Sequence, residues 1–237
     1  MGAAGRGLRG RPESLHYPYS VSFRNGRAAT IENFYDLATF WQIFFGEVYG
    51  VRNTDRRIID AGANCGYFTL YSAMKAPEAR MVSIEPFPAT FERLRKTVSD
   101  NGLEQKVILI RAALEGRDGT THMDSRDEVA SQFRRLRPSG GIAVDSISLA
   151  SVLARADWTE VDLLKLDIEG SEFEVLLNTP EEALRRIERI AMEFHPRYDH
   201  PGYSPEILLD RLQGCGFRLQ MRRDDGEGYG IAFLSQE

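Results

Sequence analysis

Three acidic residues of this 237-residue chain each stand where an apolar run gives way to a turn: Asp60 in IIDAGANCG, Glu85 in MVSIEPF and Asp167 in LLKLDIEGSE. A carboxylate at a strand end can hold a vicinal diol or sit beside a positive charge, and several facing one hollow suit a ligand that carries both. The first of them opens an Asp-x-Gly-x-x-x-Gly turn, in which Gly62 and Gly66 carry no β-carbon to keep the backbone away from a ligand. Asp60 at that turn repels a pyrophosphate and suits the ammonium and sulfonium of S-adenosylmethionine, so the pattern differs from the dinucleotide Gly-x-Gly-x-x-Gly. Glu85 follows about 20 residues after the turn, where a doubly wound fold grips both ribose hydroxyls with one carboxylate. Phe87 then becomes an apolar wall for a base.

A second group of residues could do proton chemistry. Asp167 and Glu169 end one strand, and IERIAMEFH ends in Glu193 and His195, two residues apart and so on one face of a strand. Transfer of a group to an alcohol requires the alcohol to lose its proton, and a positioned base contributes about 10²- to 10⁴-fold. His195 is the first candidate for that role because an imidazole titrates near neutral pH, with Asp167, Glu169 and Glu193 beside it. Asp167, Glu193 and His195 also form a candidate set for Mg²⁺ or Mn²⁺. Glu172 is expected to serve a helix start or an ion pair, and Cys65 to fill the glycine turn as a small residue.

These residues need elements to carry them. Ile58 to Ala73 reads as strand, turn and helix; Ala79 to Phe87 as a second strand, followed by an amphipathic helix closed at Asn101-Gly102; Lys106 to Ala113 as a third strand, whose Ala112 and Ala113 leave room for a flat ring. Leu114 to Gly141 reads as loops with one short edge hairpin and holds Arg134, Arg135 and Arg137. A strand-to-helix segment from Ile142, the acidic turn after Val161 to Leu166, the strand ending at His195, a helix and a terminal hairpin complete the chain. Ahead of the first strand, Phe34, Phe40, Trp41, Phe44, Phe45 and Tyr49 recur at helical spacing, as a helix covering the site and walling an acceptor would. The expected fold is therefore α/β: a doubly wound, mostly parallel, Rossmann-like sheet with an antiparallel C-terminal hairpin strand. Residues 1–14 are expected to be a disordered leader, 15–237 a single domain, and within it 15–55 a helical cap on a core of 56–237.

Composition narrows the function. A chain with 42% hydrophobic residues buries a sizeable core, and a net charge of −5 gives no electrostatic reason to bind nucleic acid or an anionic membrane. Two cysteines far apart match neither a metal spacing nor a disulfide framework, so a reduced, cytoplasmic protein is expected.

In these motifs the chain resembles the FkbM-type family of S-adenosylmethionine-dependent methyltransferases. DAGANCGYFTL resembles that family's glycine motif, SIEP its second-strand motif, LLKLDIEGSE its most distinctive signature and MEFH its fifth-strand end. The resemblance implies a class I methyltransferase fold, with Asp60, Gly62, Asn64 and Gly66 around the methionine part of the cofactor, Glu85 at the ribose and Asp167 at the methyl end. Ala63, Phe68, Pro86, Phe87, Ala112 and Ala113 complete the expected cofactor contacts. It implies O-methylation of a hydroxyl on a small-molecule acceptor such as a sugar, polyketide or other secondary metabolite. An N-methyltransferase, an enzyme acting on a macromolecule, or a cofactor-binding module without turnover are the alternatives. Ala150 departs from the family's usual Leu-Asp at this point, which removes a local helix-start acid.

Overall fold

Short apolar runs and amphipathic segments alternate along the chain, and in the computed structural model they become a sheet covered by helices on both faces. The structure describes residues 16–123, 136–137, 140–195, 200, 203–224 and 229–236. The expected leader and Arg134 and Arg135 lie outside them. In order, the elements are β1 (Tyr19–Ser22), β2 (Ala28–Ile31), α1 (Phe34–Gly46), β3 (Arg57–Ala61), α2 (Tyr67–Lys75), β4 (Arg80–Ile84), α3 (Pro88–Asp100) and β5 (Val107–Ile110). Then come β6 (Ala113–Glu115), β7 (Gly119–Met123), β8 (Leu136–Arg137), β9 (Ile142–Ser148), α4 (Leu149–Ala156), β10 (Leu163–Leu166), α5 (Glu172–Asn178), α6 (Glu181–Leu184), β11 (Arg189–Phe194), α7 (Pro205–Gly214), β12 (Phe217–Asp224) and β13 (Gly230–Gln236).

Seven strands form the main sheet in the order β12-β13-β11-β10-β3-β4-β5. β11, β10, β3, β4 and β5 run parallel, and β13 pairs antiparallel with both β11 and β12. Strands buried on both faces read as continuous apolar runs, and the pleat sends alternate residues to opposite layers. Ile59, Val82, Leu164 and Met192 pack with α4, α5 and α7, whereas Ile58, Met81, Leu163 and Ala191 pack with α1 and α2. Chain order reverses between β3 and β10, which makes the crevice above those two strands the expected ligand position in an open α/β sheet.

α1 starts at Asn33, whose side chain accepts the Asp36 N–H at 2.9 Å, while Asp36 accepts the Glu32 N–H at 2.8 Å. Arg93 of α3 pairs with both Glu32 and Asp36, so the cap also fastens α1 to the sheet's helical layer. Phe40 and Ile43 turn into the core, and Trp41 and Phe45 stack on each other at the surface.

The third strand and the region after it depart from expectation. β5 ends at Ile110, and Ala113 already belongs to a separate four-stranded sheet, β6-β9-β7-β8. Among its described residues, the stretch expected as loops holds residues 114–115, Gly119–Met123 and Leu136–Arg137 as strand, built on the parallel pairing of Ala113–Glu115 with Ser146–Ser148. The β1-β2 hairpin ahead of α1 was also not foreseen.

Candidate active site

Register assembles the site. Asp60 of β3 stands opposite Lys165 of β10 and Ser83 of β4, and Lys165 stands opposite Ala191 of β11. Moving two residues along each strand keeps the same face, so Asp167 and Glu193 rise directly above Lys165 and Ala191, and His195 follows.

Asp60 lies in the floor of this arrangement and does not line a hollow. It is fully buried, accepts the Thr69 hydroxyl at 2.7 Å, and pairs with the Lys165 ammonium at 3.2 Å. Lys165 is equally buried and donates to the carbonyls of Gly62 at 2.7 Å and Ala61 at 3.3 Å. Burial alone would lower its pKa, but Asp60 and Asp167 raise it, so the ammonium persists. The expected contact of Asp60 with a ligand is therefore corrected to support of the turn: the carboxylate neutralises a lysine that ties down the glycine loop.

That loop brings β3 and β10 unusually close. Gly62 has φ +75°, and a β-carbon there would lie 1.8 Å from the Asp167 carbonyl oxygen. The Gly62 and Ala63 N–H groups donate to the Ile84 carbonyl, which fixes the turn to β4. Gly66 faces Leu94 and Thr97 of α3 instead of the ligand space, because the turn has already bent toward α2. Ala112 is likewise in the core, since the chain leaves the main sheet before it.

Two hollows open above the strand ends. The first, with about 570 Å³ of empty space including its mouth, is lined by Gly62, Asn64, Glu85, Pro86, Phe87, Ala113, Met123, Asp167 and Glu169 among others. Glu85 accepts the Asn64 N–H at 3.0 Å on one oxygen and the Phe87 N–H at 3.0 Å on the other. Burial lifts its pKa to about 7 against the pull of those two bonds. The second hollow, about 1650 Å³ on the same measure, lies under α1 and is lined by Tyr35, Gln42, Tyr49, Ala63, Phe68, Lys165, Glu193, His195 and Tyr229 among others. Asn64, Asp167 and Glu169 belong to both walls.

At that junction the Tyr49 hydroxyl reaches Asp167 at 2.9 Å and Glu193 at 2.8 Å. Burial, with the Asp167 charge adding to it, raises the Glu193 pKa, against the Tyr49 hydroxyl, His195 and Lys165, which favour the carboxylate. His195 Nδ1 lies 2.9 Å from Glu172, whose same oxygen accepts the Ile168 N–H, and Nε2 lies 3.7 Å from Glu169. Burial would lower the His195 pKa, but Glu172, Glu169 and Asp167 outweigh it and lift it to about 10. A raised pKa favours the protonated ring at neutral pH and so weighs against the expectation of His195 as the first base candidate. Asp167, Glu193 and His195 do come within 4.8 Å of one another, as a cation site would need. The set already carries other partners: His195 Nδ1 is held by Glu172 at 2.9 Å, and the ammonium of Lys165 stands 3.8 Å from Asp167, where its charge competes with a cation.

Tyr49 and Lys165 carry the site's organisation; sequence reasoning gives Lys165 no role beyond its odd place in the buried run LLKL, and gives Tyr49 only that of an aromatic wall for an acceptor, not its two carboxylate contacts.

The first hollow fits an adenosyl cofactor on its own chemistry. Each Glu85 oxygen keeps a free lone pair for a ribose hydroxyl, Phe87 and Met123 supply apolar walls, and the acids at the junction suit a cationic end. A family model described as "Methyltransferase FkbM domain" matches residues 60–219, more than half of the chain. Among relatives, AmbE, an antimetabolite synthetase of Pseudomonas aeruginosa, is 26% identical in an alignment 227 positions long that covers 78% of this chain but 11% of AmbE. The 31-O-demethyl-FK506 methyltransferase FkbM of Streptomyces tacrolimicus is 24% identical, with coverage of 70% and 74%. Among solved structures, methyltransferase FkbM from Methylobacillus flagellatus KT superposes with a TM-score of 0.56 at 12% identity over 83% of this chain and 47% of that one, a likeness of fold alone.

Proposed function

Because the chain belongs to the FkbM family of S-adenosylmethionine-dependent methyltransferases, we propose that it methylates a hydroxyl of a small-molecule acceptor such as a sugar, a polyketide or another secondary metabolite. The observation that carries this reading is the meeting of two hollows at Asn64, Asp167 and Glu169. A transfer enzyme needs its two substrates in contact at one point and separate elsewhere.

Glu85 would hold the cofactor's ribose, Phe87, Ala113 and Met123 its adenine, and Asn64, Asp167 and Glu169 its charged end. When bound, S-adenosylmethionine supplies an activated methyl group on a sulfonium. What remains for the protein is alignment and proton removal. The acceptor occupies the hollow under α1, where Tyr35, Phe68 and Tyr229 offer aromatic walls and Gln42 a polar contact. Its hydroxyl proton goes to a carboxylate at the junction, Asp167 or Glu169, the two acids that line both hollows. An acidic junction also suits a neutral hydroxyl better than a phosphorylated or otherwise anionic acceptor. The name of the Streptomyces tacrolimicus relative, an enzyme that restores an O-methyl group, supports oxygen as the target.

Calorimetry with S-adenosylhomocysteine and with NAD tests the cofactor, and transfer of a labelled methyl to panels of hydroxyl and amine acceptors tests the target atom. Saturable binding of S-adenosylhomocysteine and labelling of hydroxyls are expected. Preference for NAD, or labelling of amines alone, would overturn the reading.

A further inference from the structure

Successive residues of an α-helix are turned by about 100°, so the residues of α1 sort into faces. Phe40 and Ile43 turn to the core. Tyr35, Ala38, Thr39 and Gln42, at i, i+3, i+4 and i+7, line the hollow beneath the helix. Phe34, Ala38, Trp41 and Phe45, at i, i+4, i+7 and i+11, form the next strip round. Ala38 belongs to both, so the strip continues the hollow's wall outward over its rim.

That strip is aromatic and open to water. Trp41 is 57% and Phe45 63% exposed, their rings stacked with centroids 4.3 Å apart, and exposed Phe34 stands edge-on to Tyr35 of the hollow wall at 6.1 Å. The one charged residue of α1, Asp36, is buried against Arg93, which leaves the outward side of the helix uncharged. Three large aromatic side chains left wet on one helix add little to the core and mark a binding surface. The hollow is graded in the same sense: Lys165, Asp167, Glu193 and His195 gather at the strand ends, and the α1 wall carries no charge. A ligand that suits both ends is amphiphilic, polar at the strand ends and apolar along α1. A free sugar, polar throughout, would gain nothing from the rim.

We propose that Trp41 and Phe45 are specificity-determining residues for the acceptor, which carries its hydroxyl on an extended apolar or aromatic body that leaves the hollow past Ala38 and covers the stacked pair. The proposal rests on the hydroxyl-acceptor reading above and concerns the far end of the acceptor, away from the transferred methyl.

Labelled methyl transfer to phenylalkanols of rising chain length, from phenylethanol to phenyloctanol, with glycerol and glucose beside them, tests it. In the wild type kcat/KM is expected to rise with length and to be lowest for the two polyols. Trp41→Gln and Phe45→Gln replace exposed residues by a good helix former, so the fold is kept. Each is expected to raise KM for phenyloctanol by about 5- to 30-fold, as loss of an apolar contact does, with kcat, the KM for phenylethanol and the affinity for S-adenosylhomocysteine unchanged. Trp41→Tyr is expected to restore most of the loss. A second reading needs no turnover: of the two tryptophans Trp158 is buried, so phenyloctanol added to the S-adenosylhomocysteine complex should shift the emission of exposed Trp41. No dependence on length, an equal loss for short and long alcohols, or unaltered emission overturns the proposal. So does a wild-type dimer, seen by sedimentation, that Trp41→Gln dissociates, because the strip then belongs to a second copy of the chain. Shifted emission with no hydroxyl methylated would support the apolar rim and sink the O-methylation reading instead.

Discussion

Glu85 is buried, yet both of its oxygens are fixed by backbone N–H groups, Asn64 on one side and Phe87 on the other. Those bonds aim its remaining lone pairs before any ligand arrives, which reduces the ordering that binding requires. Replacing Glu85 by Ala is expected to weaken S-adenosylhomocysteine binding by about 10- to 100-fold, the equivalent of about 1.5–3 kcal/mol for hydrogen bonds to a charged group. Calorimetry decides it, and unchanged affinity would remove Glu85 from the ribose. The placement of Glu85 was legible in the sequence because its distance from the glycine turn is set by one strand-helix-strand unit. Tyr49 was not, since its contacts span 118 and 144 residues of chain and depend on how the segment after α1 lies across the sheet. Nor could the charge state of His195 be read, because the two acids that fix it come from the turn after β10 and from α5.

At the level of elements, the approach of β3 to β10 is the feature that shapes the cofactor hollow, and Gly62 alone permits it. Gly62→Ala is expected to destabilise the fold by more than the roughly 1–3 kcal/mol cost of a strained φ, since its β-carbon would also collide with the Asp167 carbonyl. Urea unfolding measures this, and a loss within about 0.5 kcal/mol would show that the turn can open freely. The parallel strands were legible because a strand buried on both faces is a continuous apolar run. The β6-β9-β7-β8 sheet was hidden, because GTTHM is a short polar strand and β6 is only three residues long. Where β5 ends is set by β6 pairing with β9, which lies some 30 residues further on and leaves no mark in the local pattern.

For the whole molecule, the His195 ion pairs make stability depend on pH in a calculable direction. Its folded pKa of about 10 lies above the unfolded 6.5, so its stabilising contribution is complete below about pH 6.5 and lost as pH rises through about 10. The thermal midpoint of the wild type should exceed that of His195→Gln most near pH 6.5, with the gap closing toward pH 10. A gap that stays constant across that range would mean the imidazole is neutral in the folded protein. The sheet order adds a constraint of another kind. β13 is the last of the seven strands to be synthesised, yet it lies between β11 and β12 and covers the edge of the strand that carries Glu193. The edge of β11, and with it the setting of Glu193, therefore cannot be completed until residues 230–236 have emerged from the ribosome.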